Sequence, residues 1–188
     1  EGGKVNGVST EDLVQVIEME GEEWLYFKAP KVDVALIRGS VADEKGNITM
    51  DREGVLLESL SVAQAARACG GIVIAQVEHI VKAGSLHPRQ VKIPGVVVDY
   101  VVVGKPENHL QTMATYFNPA YAGDIKVVRG SMTPLPLDPR KIIARRAAME
   151  LKPGAVVNLG IGMPEGVAAV AAEEHVDHLM SLTLETGP

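Results

Sequence analysis

The feature that most limits what this chain can fold into is a strand–helix–strand rhythm that occurs twice. Val32 to Ile37 is a short apolar run and Ile72 to Val77 is another. Between them, residues 53 to 69 carry a helical stripe through Val55, Val62, Ala66 and Cys69, and Gly70-Gly71 supplies the stop. A helix of that length between two apolar strands makes a βαβ unit, and with it a parallel sheet. Val96 to Val103 reads as a further buried strand. The rhythm returns after Asp138, an N-cap with Pro139 at the first helical position. There Ile143, Ala147 and Leu151 form the apolar stripe, Lys152-Pro153-Gly154 ends the helix, and residues 155 to 159 form a strand. Gly160-Ile161-Gly162-Met163-Pro164 is then a tight loop, residues 165 to 174 a helix, and residues 179 to 184 the next strand. Aromatic residues make up only 4%, so the core is built from Val, Ile, Leu and Ala, which suits an open-sheet α/β fold.

Two stretches fall outside this rhythm. Residues 13 to 20 alternate apolar and polar, residues 24 to 28 are aromatic-rich, and the intervening Gly21-Glu22-Glu23 makes the pair a β-hairpin. Six acidic residues and no basic one fall between Thr10 and Phe27, which suits either a solvated sheet edge or a docking face for a partner subunit. Pro119, Pro134, Pro136 and Pro139 mark a change of character, and residues 131 to 137 read as a linker between a first domain (1 to 130) and the start of a second (138 to 188). Two strands and two helices bury too little surface to stand alone, so the second domain is expected to be truncated and the chain to be part of a longer protein.

Composition excludes several classes. A net charge of -6 lacks the basic stripe that a nucleic-acid binder needs and disfavours docking on an anionic membrane. No run of about 18 apolar residues spans a bilayer. The single cysteine, Cys69, rules out an internal disulfide and fits a reducing compartment such as the cytoplasm; on its apolar stripe it reads as a buried, inert thiol.

Chemistry concentrates at two places. Glycines at 160 and 162 let backbone approach a ligand, and the helix that follows offers N–H groups to an anion. The pattern lacks the spacing of a dinucleotide fingerprint and, taken alone, also suits a purely structural turn. Glu185 follows the last strand, next to Thr186-Gly187-Pro188. Ligands of open α/β sheets bind at the carboxyl ends of strands, where both features fall. Elsewhere, residues 173 to 178 (Glu-Glu-His-Val-Asp-His) offer metal-ligand types across a helix end, and no metal is expected there. Arg140, Lys141, Arg145 and Arg146 read as a solvated helix face, with a contact to phosphates as the alternative.

Taken together, Asn158 to Pro164 and Ser181 to Pro188 resemble the second-domain start of family I coenzyme A transferases, in particular the single-chain acetate/propionate CoA-transferase group. Asp33 to Asp43 with Gly46-Asn47, Ala75 to Glu78, and Lys92 to Tyr100 resemble the late part of that family's first domain. The resemblance runs in order along nearly the whole chain. It implies two open-sheet α/β domains of the CoA-transferase type. It also implies that Glu185 is the catalytic nucleophile, passing through an acyl-glutamyl anhydride to a glutamyl-CoA thioester in a ping-pong exchange between a short-chain acyl-CoA and a carboxylic acid. Gly160, Gly162, Pro164 and Gly187 would line the substrate pocket. Coenzyme A would be substrate and transient covalent adduct, no cofactor would be held tightly, and the protein would form homodimers or homotetramers. An acyl-CoA hydrolase on the same scaffold and a non-catalytic ligand-sensing module are the rival readings.

Overall fold

A computed structural model describes residues 12–128, 131 and 133–184. The chain divides into two compact units: the described residues within Glu1–Met50 with Ser59–Lys105, and those within Asp51–Glu58 with Pro106–Pro188. Among the described residues no helix is long and apolar enough to cross a membrane.

The first unit opens with the expected hairpin, β1 (Val14–Met19) paired antiparallel with β2 (Glu22–Phe27). Glu20 and Gly21 turn it at φ 57° and 81°, the two positive values that let a two-residue loop follow the twist of its strands. Glu18 faces Glu23 across the ladder. Trp24, Leu25, Tyr26 and Phe27 are all exposed.

A parallel sheet follows, ordered β3–β6–β9, from β3 (Val34–Arg38), β6 (Ile72–Val77) and β9 (Tyr100–Val103). The central strand β6 alternates as period-2 geometry requires, with Val73, Ala75 and Val77 fully buried. Helix α1 (Ser59–Ala68) leads into β6, after two short strands that follow β3, and buries Ala63 and Ala66, residues small enough to let it lie close on the sheet. Four short strands make a second sheet, β7–β4–β5–β8, from β4 (Val41–Asp43), β5 (Ile48–Thr49), β7 (His79–Val81) and β8 (Val91–Ile93). Ile48 and Ile93 are sealed in the shared core, each contributing roughly 2 kcal/mol by removal from water.

Three expectations are corrected. Helix α1 begins at Ser59, not at residue 53, because Leu57 sits at φ 47°, which no right-handed helix contains. Its buried face accordingly runs through Ala63 and Ala66, while Val55 and Val62 are exposed and Cys69 is half-buried. The run from Val96 becomes a strand only at Tyr100, because Gly95–Val97 forms a 3-10 turn, and β9 is a sheet edge with Tyr100, Val102 and Val103 exposed rather than a buried strand. Asp99 sets that start: its carboxylate accepts from Val73 N at 2.8 Å and from Arg67 Nη1 at 2.7 Å, tying the end of α1 to β6.

Asp43 ends β4 and organises the turn to β5. Its carboxylate accepts backbone N–H groups of Lys45 (2.9 Å) and Asn47 (3.0 Å), and Asn47 Nδ2 reaches Asp43 Oδ2 at 3.0 Å. Asn47 Oδ1 in turn accepts from Gly95 N at 3.0 Å, so one turn fastens a segment 48 positions further along. Burial works against the Asp43 charge, but the bonds from the Asn47 side chain and from the Asn47, Lys45 and Gly84 N–H groups outweigh it and hold the carboxyl below its ordinary value. A carboxylate of this kind stabilises the fold fully above its unfolded pKa of about 3.9, and the contribution is lost as the pH falls through that value and then through the lower folded one. Asp43→Asn is therefore expected to lower the urea midpoint at neutral pH, with the deficit shrinking at about pH 3. A deficit that stays constant with pH contradicts this assignment.

The second unit holds segment 51–58 against residues 106–118. Gln111 Nε2 donates to the Arg52 carbonyl at 2.9 Å, the Arg52 guanidinium lies 3.8 Å over the Phe117 ring, and buried His109 stands 3.7 Å from Glu53. A short helix, α2 (Pro119–Ala122), follows the Asn118 cap. Then come α3 (Pro139–Ala148), β10 (Val156–Leu159), α4 (Glu165–Glu173) and β11 (Ser181–Leu184), with β10 and β11 parallel. The expected cap is present, since Asp138 Oδ1 accepts from Lys141 N at 2.9 Å. The expected stripe is displaced by one residue: Ala144 is buried, whereas Ile143 and Ala147 are exposed. β10 starts one residue later than expected, at Val156, and β11 starts at Ser181 rather than at residue 179 because Asp177–Leu179 forms a 3-10 turn before it.

Candidate active site

Parallel pairing puts the carboxyl ends of β10 and β11 at the same edge, with Leu159 in register with Leu184. Gly160 follows the first of these and begins the loop that enters α4 at Pro164. The sequence-predicted residues Gly160, Gly162 and Pro164 are thus brought together in one turn. Glu185 and Gly187, which follow Leu184 in the sequence, lie outside the described residues.

The loop is built from residues that leave it little choice. Gly162 has φ 93°, a conformation that any Cβ would strain. Pro164, at φ -62°, is already helical, and its carbonyl accepts from Val167 N at 2.9 Å to start α4. Gly166 is buried, and a Cβ there would stand 3.2 Å from the Ala144 Cβ, so a glycine is what lets α4 approach α3 so closely. Beside the loop, Thr183 Oγ1 donates to Asn158 Oδ1 at 3.3 Å across the β10–β11 pair. Ile143, Leu151, Val157, Leu159, Met163 and Val167 contribute to an apolar cleft of about 410 Å³ under the loop.

Arg140, Arg145 and Arg146 lie on the exposed helix face expected of them, whereas Lys141 is largely sheltered, and each of the four meets a carboxylate. Arg140 meets Glu165 at 2.6 Å, Lys141 meets Glu173 at 2.6 Å, Arg145 meets Glu174 at 2.8 Å and Arg146 meets Glu150 at 2.6 Å. Two of the four pairs join α3 to α4, and a third joins α3 to Glu174, which caps the end of α4. The Lys141–Glu173 pair is the most sheltered, and it also straps down the proline-rich segment: Glu173 Oε1 accepts from Leu135 N at 2.6 Å and Lys141 Nζ donates to the Leu135 carbonyl at 2.8 Å. The bond from Lys141, joined by the Leu135 N–H, holds the Glu173 carboxyl below its usual range. Glu173 and Glu174 are thereby occupied, and among the described residues no group of three or more His, Cys, Asp or Glu side chains is placed to hold a metal ion.

Sequence reasoning missed the second role of Arg140. Its Nη2 donates to the Gly162 carbonyl at 2.6 Å as well as to Glu165 Oε1 at 2.6 Å. The available signal was an arginine in the first turn of one helix and a glutamate in the first turn of the next, too generic to single out.

The model of the family described as coenzyme A transferase matches residues 3–104. The chain is 50% identical over 188 residues to caffeate CoA-transferase of Acetobacterium woodii, covering 100% of this chain and 36% of that protein. It is 42% identical over 188 residues to acetate CoA-transferase YdiF of Escherichia coli (strain K12), covering 100% of this chain and 35% of that one. The solved acyl-CoA transferase YdiF of E. coli O157:H7, in its thioester complex with CoA, superimposes with a TM-score of 0.83 at 40% identity, covering 98% of this chain and 36% of that chain. The chain therefore spans about a third of the length of these relatives. A family model that matches more than half of the chain, together with whole-chain identity to two such transferases, shows that the chain belongs to the coenzyme A transferase family.

Proposed function

We propose that the whole protein transfers coenzyme A between a short-chain acyl-CoA and a carboxylic acid, with Glu185 as the covalent carrier. The observation that carries this reading is the glycine–proline loop at the carboxyl end of β10, in register with the strand that runs directly into Glu185 in the sequence. The Glu185 carboxylate attacks the thioester carbonyl of the acyl-CoA, the C–S bond breaks, and an acyl-glutamyl anhydride forms as the CoA thiolate leaves. The thiolate attacks the glutamyl carbonyl of the anhydride, releasing the first carboxylate and leaving a glutamyl-CoA thioester. A second carboxylate attacks that thioester and the steps reverse, so that its own CoA ester departs and Glu185 is freed. One difficult exchange becomes a series of acyl transfers of similar free energy. An ionised carboxylate serves as nucleophile at neutral pH without a general base, and closure against water protects both activated intermediates.

Gly160, Gly162, Pro164 and Gly187 form the pocket wall in this reading, where small residues let backbone come close to the thioester. Coenzyme A is substrate and transient adduct, no cofactor is held between turnovers, the substrates are acyl-CoA and short-chain carboxylates, and the protein works in the cytoplasm as a homodimer or homotetramer. The test varies acetyl-CoA against propionate with the full-length protein. A transferase gives parallel double-reciprocal lines and no CoA release without acceptor. CoA release that is independent of the acceptor makes it a hydrolase and overturns the reading.

A further inference from the structure

Gly162 is the pivot of the loop: lacking a Cβ, it reaches φ 93° without strain and does not itself bias the peptide planes on either side. What holds the plane that follows it is a side chain from α3: the Arg140 guanidinium, 22 positions away, donates to the Gly162 carbonyl at 2.6 Å. In a trans peptide the carbonyl and the next N–H point in opposite directions, so anchoring the Gly162 carbonyl also fixes where the Met163 N–H is aimed. The same nitrogen holds Glu165, in the first turn of α4, at 2.6 Å. Arg140 and Glu165 are both nearly half exposed, at 45% and 48%, and an ion pair at such a surface adds little to global stability. The expected consequence of the contact is therefore local, on the geometry of the loop.

We propose that Arg140 is a positioning residue for acyl transfer: it locks the Gly162–Met163 peptide in the orientation in which the loop meets the reacting group. This rests on the CoA-transfer reading of the loop. Full-length Arg140→Gln and Arg140→Lys are compared with the wild type in three measurements: acetyl-CoA–propionate exchange, the rate at which CoA becomes attached to the Glu185 peptide, and thermal unfolding. Arg140→Gln is expected to lower kcat and the rate of attachment about 10- to 100-fold, the scale of a small misplacement in an acyl-transfer site, with KM for acetyl-CoA and the unfolding temperature nearly unchanged. Arg140→Lys, whose ammonium still donates to the Gly162 carbonyl, recovers much of kcat. The inference is overturned if Arg140→Gln attaches CoA at the wild-type rate, if its loss tracks thermal stability alone, or if Arg140→Lys is as impaired as Arg140→Gln. A wild-type protein that exchanges CoA with no attachment to Glu185 removes the covalent reading, and this inference with it.

Discussion

Glu185→Gln is expected to stop CoA exchange in the full-length protein, with kcat falling at least about 10³-fold, the scale seen when a covalent nucleophile is lost. The neutral amide keeps the size of the side chain but carries no ionised oxygen to attack a thioester. The anhydride and the glutamyl thioester then both fail to form. Glu185→Asp keeps the charge and withdraws it by one methylene, and a displacement of that order is expected to reduce kcat about 10²-fold. The pair separates chemistry from placement: an electrostatic role would spare Asp and a purely structural role would spare Gln. Exchange that persists in Glu185→Gln at near wild-type rate would move the nucleophile elsewhere.

A large loss of stability is expected from Gly71→Ala. Gly71 begins the descent from α1 into β6, and a Cβ there would lie 2.5 Å from the Asp33 carbonyl oxygen and 2.6 Å from that of Val32. Both obstacles are backbone, and Asp33 O is already committed to Ile72 N at 3.0 Å, so nothing flexible can yield. The α1–β6 turn must move away from β3, breaking the parallel ladder at its start, at a cost of about 3 kcal/mol. Urea unfolding should show a midpoint lowered by about 1 to 1.5 M. Gly70→Ala is the control: at φ 74° with nothing within 4 Å of its added Cβ, it carries conformational strain alone, on the order of 1 kcal/mol. Equal losses at the two positions would show that the close approach at Gly71 is not what the fold depends on.

These residues also show how much of the architecture was legible in advance. Strand β6 was visible as a largely apolar run preceded by two glycines, and α3 announced its start through Asp138-Pro139, because an N-cap is a local device written in adjacent residues. The start of α1 was not visible, since a leucine at φ 47° carries no composition signal. The start of β9 was hidden for a different reason. Gly95 lies so close to the Lys45 carbonyl that a side chain there would collide with it, and its N–H is held by Asn47, a contact between segments that no local pattern reports. The candidate site divides in the same way. The glycine–proline loop was legible because turn chemistry is local, whereas the Arg140 clamp across two helices required the packing of α3 on α4. The buried face of α3 was misplaced by one residue for that reason too: Ala144 faces inward because Gly166 lets α4 come close at that point.

The central claim is that a glutamate side chain carries CoA covalently, and the most direct measurement looks for that bond. Full-length protein is incubated with acetyl-CoA without acceptor, quenched, digested and analysed by peptide mass spectrometry. The account predicts CoA in thioester linkage on the peptide that contains Glu185, discharged when propionate is added before the quench. Turnover with acetyl-CoA and propionate while that peptide stays unmodified, or CoA attached to a different residue, would contradict it.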